Sequence, residues 1–132
     1  MQSVLRRFCL GLCLVTVGPG CAPDPSDLVA VTTSAPAVQL TGTKVRVRAI
    51  DNTFRPQQFE VKIGDEVEFT NGGRNDHDVT PFTGNAWGVK LADFVPKAVY
   101  SHVFAVPGEY KFYCTIHGTN KSGMIGTITV TE

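Results

Sequence analysis

Apolar and polar residues alternate with a period of two through most of the C-terminal two-thirds of the chain. In Lys44–Ile50, Val45, Val47 and Ala49 fall on one face and Arg46, Arg48 and Ile50 on the other. Phe59, Val61 and Ile63 alternate with Glu60 and Lys62, and Val67 and Phe69 with Glu66, Glu68 and Thr70. Strict alternation of this kind predicts half-buried strands. Gly64-Asp65 and Asn71-Gly72-Gly73 are turn signals between them. Further strands are predicted at residues 78–80, 98–106, 109–115 and 125–131, with a turn at Pro107-Gly108 and a long irregular segment over residues 81–96. A helix fits only within residues 85–96, where Gly88 and Pro96 limit it. Short strands at this spacing predict an antiparallel all-β sandwich or barrel.

Ahead of these strands the pattern changes twice. Residues 8–17 form a ten-residue apolar run behind Arg6 and Arg7. That is too short for the ~20 residues a membrane-spanning helix needs, and it has the charged start and apolar core of an export signal. Cys21 follows Gly20 and opens a polar stretch, which resembles a lipoprotein cleavage site. Gly18 and Pro19 depart from that pattern, so a plain secretory signal is the alternative. Arg6-Arg7 also hints at twin-arginine export, although the flanking residues do not match it. Residues 21–43 read as a flexible tether interrupted by Pro23, Pro25 and Pro36. Its apolar run 28–31 has the character of a short strand. The domain proper spans residues 44–132.

Composition narrows the function classes. The chain has 132 residues with 12 Lys+Arg against 12 Asp+Glu, a formal net charge of zero. Without a basic excess it lacks the signature of a nucleic-acid binder. Hydrophobic residues are 42% and charged ones 18%, which excludes general disorder. Cleavage before Cys21 removes Arg6, Arg7, Cys9, Cys13 and Met1. With Cys21 lipidated, the mature chain keeps one free thiol, Cys114, and one methionine, Met124, beside three histidines.

Those few residues carry the candidate chemistry. Two residues separate Cys114 from His117, and six separate His117 from Met124; His77 follows the 71–76 turn. A thiolate, two imidazoles and a thioether form a soft-to-borderline donor set that suits copper in both oxidation states. Cys114 shares strand parity with Tyr110 and Phe112, so it points inward. Zinc also accepts a His2Cys set, but copper binds such sites more tightly. A lone thiol in an oxidising compartment is open to oxidation unless shielded or ligated, which favours a ligand over a structural cysteine. His102 has the parity of Phe104 and Val106 and is read as structural. Trp87 is expected to pack over the barrel and Tyr113 to point outward.

The stretch PGEYKFYCTIHGTNKSGMIGTITV (residues 107–130), with FRPQQFEVKIGDEVEFTN (54–71) and HDV (77–79), resembles the plastocyanin-like blue copper proteins, the cupredoxins. The resemblance covers most of residues 44–132. It implies a Greek-key β-sandwich with one type 1 copper near one end, His77, Cys114 and His117 as strong ligands, and Met124 as the weak axial one. Met124 comes seven positions after His117, where plastocyanins usually have five. Asp78 stands where the family often has Asn, and it is expected to accept hydrogen bonds from Thr115 but not to donate. No nucleophile–base set, phosphate loop or paired carboxylates point to an enzyme. The expectation is a monomeric one-electron carrier between redox partner proteins, outside the cytoplasm and membrane-attached through a lipid on Cys21. A copper-delivery lipoprotein is the alternative.

Overall fold

The structure is a computed structural model and describes residues 37–132. The signal, Cys21 and most of the tether lie outside the described residues. Among the described residues eight strands form two sheets: β1 (Lys44–Ile50), β2 (Thr53–Arg55), β3 (Gln58–Lys62), β4 (Glu66–Asn71), β5 (Thr80–Pro81), β6 (Val99–Val103), β7 (Gly108–Gly118) and β8 (Gly123–Thr131). The first sheet has the order β2-β1-β4-β6 and the second β3-β8-β7-β5. This is the Greek-key sandwich expected from the resemblance.

The alternating residues lie where the period of two puts them. Val47, Ala49, Val67 and Phe69 from the first sheet face Val61, Phe112, Ile128 and Val130 from the second, all buried. The sandwich is not purely antiparallel, however: β1 runs parallel to β4, and β3 parallel to β8. Alternation fixes which face of a strand is buried but not the direction of its neighbour. Here β2 and β3 carry the chain from one sheet to the other between β1 and β4, so β4 returns in the direction of β1. β2, unforeseen, is a three-residue strand ending before Pro56, which has no N–H to give a ladder. β5 begins at Thr80, and Val79 instead bridges to Val89. The segment before β6 stays irregular apart from one 3-10 turn, Leu91–Asp93.

The start of the described chain is tied to the β3–β4 turn. Thr41 N–H donates to the Gly64 carbonyl (3.1 Å) and Glu66 N–H to that of Thr43 (2.9 Å). Asp65 accepts from the Thr41 hydroxyl and from Lys62 N–H (2.8 Å). These bonds, Thr41's first, hold its carboxyl below the ordinary carboxylate range.

Aromatic rings fill the interior. Phe112 packs edge-on against Phe54 (4.8 Å) and Phe69 (5.4 Å), and Trp87 covers Phe104 (5.1 Å) and Phe112 (5.9 Å). Opposite Phe112 on β8 is Gly126, where a Cβ would stand 2.3 Å from the phenyl ring. The ring occupies the space a side chain would take, and its neighbours leave it no retreat. Gly126→Ala is therefore expected to destabilise the fold by about 1–3 kcal/mol, the usual penalty for overpacking. Urea unfolding reads this directly; unchanged stability would show that the ring is free to move.

Candidate metal centre

His77 is delivered by a loop wound around one carboxamide. β4 ends at Asn71, which is 1% exposed. A chain leaving a sheet must find new partners for its backbone groups, and Asn71 supplies them. Its Oδ1 accepts Gly73 N–H (3.1 Å), and its Nδ2 donates to the carbonyls of Asn75 (2.9 Å) and Phe94 (2.8 Å). The Phe94 carbonyl also accepts His77 N–H (3.3 Å). Gly73 allows the loop to close on the imidazole, since a Cβ there would lie 3.1 Å from His77 Nε2. His77 is fully buried, and among the described residues its Nε2 has no partner. Burial, with His117 beside it, holds His77 below the ordinary imidazole pKa. The neutral ring keeps a lone pair for a metal.

Cys114 and His117 come from the end of β7. Pairing with β8 is regular as far as Tyr113↔Ile125, shifts, and resumes at Gly118↔Gly123. Phe112 and Cys114 share the buried face, and the irregularity re-aims the chain so that His117 turns back toward the thiol. Thr119 closes the hairpin by donating its N–H to the Ser122 carbonyl (2.8 Å) and accepting from the N–H groups of Lys121 and Ser122 (3.2 and 3.3 Å). Gly123 adopts φ +90°, and a Cβ there would stand 2.6 Å from the His117 carbonyl oxygen. Met124 follows, fully buried.

The result is a cluster. Cys114 Sγ lies 3.7 Å from His77 Nδ1 and 3.6 Å from His117 Nδ1, with all three donor atoms within 4.8 Å of one another. The two imidazole rings are 4.8 Å apart. Asp78 ties the loop segment bearing His77 to the strand bearing Cys114. Its Oδ1 accepts Thr115 N–H (2.7 Å) and its Oδ2 the Thr115 hydroxyl, the acceptor role expected of an Asp in this place. His102 is elsewhere, in β6 opposite Val67 and 4.7 Å from Phe104. Tyr113 is half-buried on the other face of β7, edge-on to Phe82 at 5.6 Å.

Asn71 and Gly73 are the functional positions that sequence reasoning missed. It read Asn-Gly-Gly as a turn only; an Asn closing a strand six positions before a candidate ligand was the available signal.

The donors fit copper. Bonds of about 2.0–2.3 Å to imidazole nitrogen and thiolate sulfur place neighbouring donors about 3.7 Å apart in a trigonal plane and about 3.5 Å apart in a tetrahedron. The observed sulfur–nitrogen spacings, 3.6 and 3.7 Å, lie within this range and fit a single metal ion, and a His2Cys set with a weak axial thioether is the blue-copper donor set.

Comparison with known proteins agrees. Residues 41–131 match the family described as copper-binding proteins, plastocyanin/azurin family. The chain is 33% identical to plastocyanin of Prochlorothrix hollandica over 138 residues, covering 97% of this chain and 95% of that one. It is 30% identical to chloroplastic plastocyanin of Physcomitrium patens, covering 98% and 79%. Among solved structures it resembles a mutant fern plastocyanin, with TM-score 0.56 and 25% identity over 66% of this chain and all of that one. It also resembles part of a copper-containing nitrite reductase of Thermus scotoductus, with TM-score 0.59 and 27% identity over 75% of this chain but 25% of that one. Fold, donor set and sequence thus converge: the chain belongs to the plastocyanin/azurin family of copper-binding proteins, as a plastocyanin-like cupredoxin whose cofactor is copper.

Proposed function

We propose that this cupredoxin is a one-electron carrier working outside the cytoplasm, with a type 1 copper held by His77, Cys114, His117 and, axially, Met124. The observation that supports the reading is the close grouping of three donors inside a packed fold, 3.6 and 3.7 Å from sulfur to nitrogen. Copper, when bound, would supply the Cu(II)/Cu(I) couple needed to accept one electron from a donor protein and give it to an acceptor.

The chain's own residues make that transfer easy. Asn71 and Asp78 fix the two segments that bear His77 and Cys114, so the donors have little room to rearrange. Phe112 and Met124, both fully buried, line the interior around β7 and β8 and keep water out. His77 and Cys114 are buried whereas His117 is half-exposed. His117 is therefore the edge nearest a partner. A site filled by four protein donors leaves no position for a substrate, which supports a carrier rather than an enzyme. The nitrite reductase it resembles is about four times longer than the matched region.

Export and lipidation at Cys21 are proposed from the signal-like N-terminus alone. A lipoprotein cysteine with two or three acyl chains anchors stably, where a single chain holds marginally. A flexible tether of some 22 residues would reach roughly 25 Å.

Four outcomes are expected. With one equivalent of Cu(II) the purified protein turns intensely blue or green and bleaches on reduction. Cys114→Ser removes the colour, His77→Ala and His117→Ala weaken or reshape it, and His102→Ala leaves it unchanged. Colour lost in the His102 variant but kept in the His77 variant would overturn the ligand set. Met124→Leu keeps the colour and raises the reduction potential in voltammetry; an unshifted potential would place the thioether away from the metal. Finally, fractionation recovers the wild type with membranes and Cys21→Ser as soluble protein. Equal solubility would remove the anchor and leave a diffusible carrier, with the copper reading intact.

A further inference from the structure

The outer face of the first sheet has three rows of residues across β1, β4 and β6. In the first, Lys44 stands beside Glu66 and forms ion pairs with Glu66 (3.2 Å) and Glu68 (2.7 Å). In the second, Arg46 stands beside Glu68 and pairs with it at 3.1 Å. The third, nearest the metal centre, is different. Arg55 of β2 is opposite Arg48 of β1, which neighbours Thr70 of β4, which neighbours Val99 of β6. This row contains two cations and no carboxylate.

Like charges directly opposite on an antiparallel pair are destabilising, and among the described residues no ion pair offsets them. Among the described residues neither arginine forms an ion pair, and neither does the exposed Arg74 of the following loop. Asp51 and Asp76 flank that loop, and neither forms an ion pair with these arginines. The Arg48 guanidinium reaches over Gly72, where a Cβ would lie 3.0 Å from it. The next residue, Gly73, abuts the His77 imidazole. The uncompensated charge therefore adjoins the loop that holds one side of the metal centre.

We infer that this row, with Arg48 and Arg55 at its β2 end, is a docking surface for a carboxylate-rich patch on a redox partner protein. The inference rests on the electron-carrier reading. The guanidinium fork matches carboxylates in paired hydrogen bonds. Val99, 58% exposed, extends the row with an apolar contact, as a protein partner with a mixed surface requires. Charges of this kind act mainly on the rate and orientation of encounter.

The test uses the Cu(I)-loaded full chain, labelled with 15N and titrated with poly-L-glutamate at low salt. Amide shifts are expected in β1, β2 and residues 70–74, and they should fade as salt is added. The Arg48→Gln/Arg55→Gln double variant should bind about tenfold more weakly while its oxidised form keeps the wild-type absorption. Shifts centred elsewhere, or equal binding by the double variant, would overturn the inference. So would co-sedimentation with phosphatidylglycerol vesicles through the same two arginines, which would assign the face to a membrane. The titration reads binding and not colour, so it fails separately from the copper reading.

Discussion

One buried carboxylate joins the two halves of the metal centre. His77 follows a loop out of the first sheet, whereas Cys114 and His117 belong to the second. Nothing in the covalent chain fixes the distance between them. Asp78, 5% exposed, fixes it by accepting both the N–H and the hydroxyl of Thr115, the residue next to Cys114. Hydrogen bonds to an ionised group contribute about 1.5–3 kcal/mol each, which offsets the cost of burying the charge. The pairing of Thr80 with Tyr113 extends the same junction along the strands. With the two segments locked, sulfur and nitrogen are already at metal-binding distance, and binding demands little conformational change.

The rest of the architecture keeps that junction rigid. Asn71 closes the loop before His77 by bonding to three different backbone groups, so the imidazole cannot turn away. Phe112, two residues before Cys114, is wedged among Phe54, Phe69 and Trp87. It also fills the space left by Gly126 across the ladder. Aromatic packing therefore holds β7 in register up to the point where the pairing breaks and His117 turns inward. A metal bound there would be offered one fixed set of donors, which would keep rearrangement on electron transfer small.

The buried faces of β1, β3, β4 and β7 were legible because alternation is a local property of the chain. Val47, Val61, Phe69 and Phe112 had only one inward direction available. The three donors of the cluster were legible for another reason: Cys114 and His117 are close in sequence, and few residues of their chemistry exist to choose from. The acceptor role of Asp78 followed from its ionised chemistry, and Trp87 packs over the core as expected. What escaped was non-local. The parallel pairings of β1 with β4 and β3 with β8 depend on where distant strands return. The three-residue β2 is too short to show a period. Asn71 looked like an ordinary turn residue because its three partners are scattered from Gly73 to Phe94.

The central claim is a preassembled His2Cys site that would change little when the electron arrives. X-ray absorption at the copper edge tests it most directly, on the same sample oxidised and then reduced. The account predicts one sulfur and two nitrogens at about 2.0–2.3 Å in both states, with no added ligand in either. A first shell without sulfur, or one that gains oxygen ligands on oxidation, would contradict it.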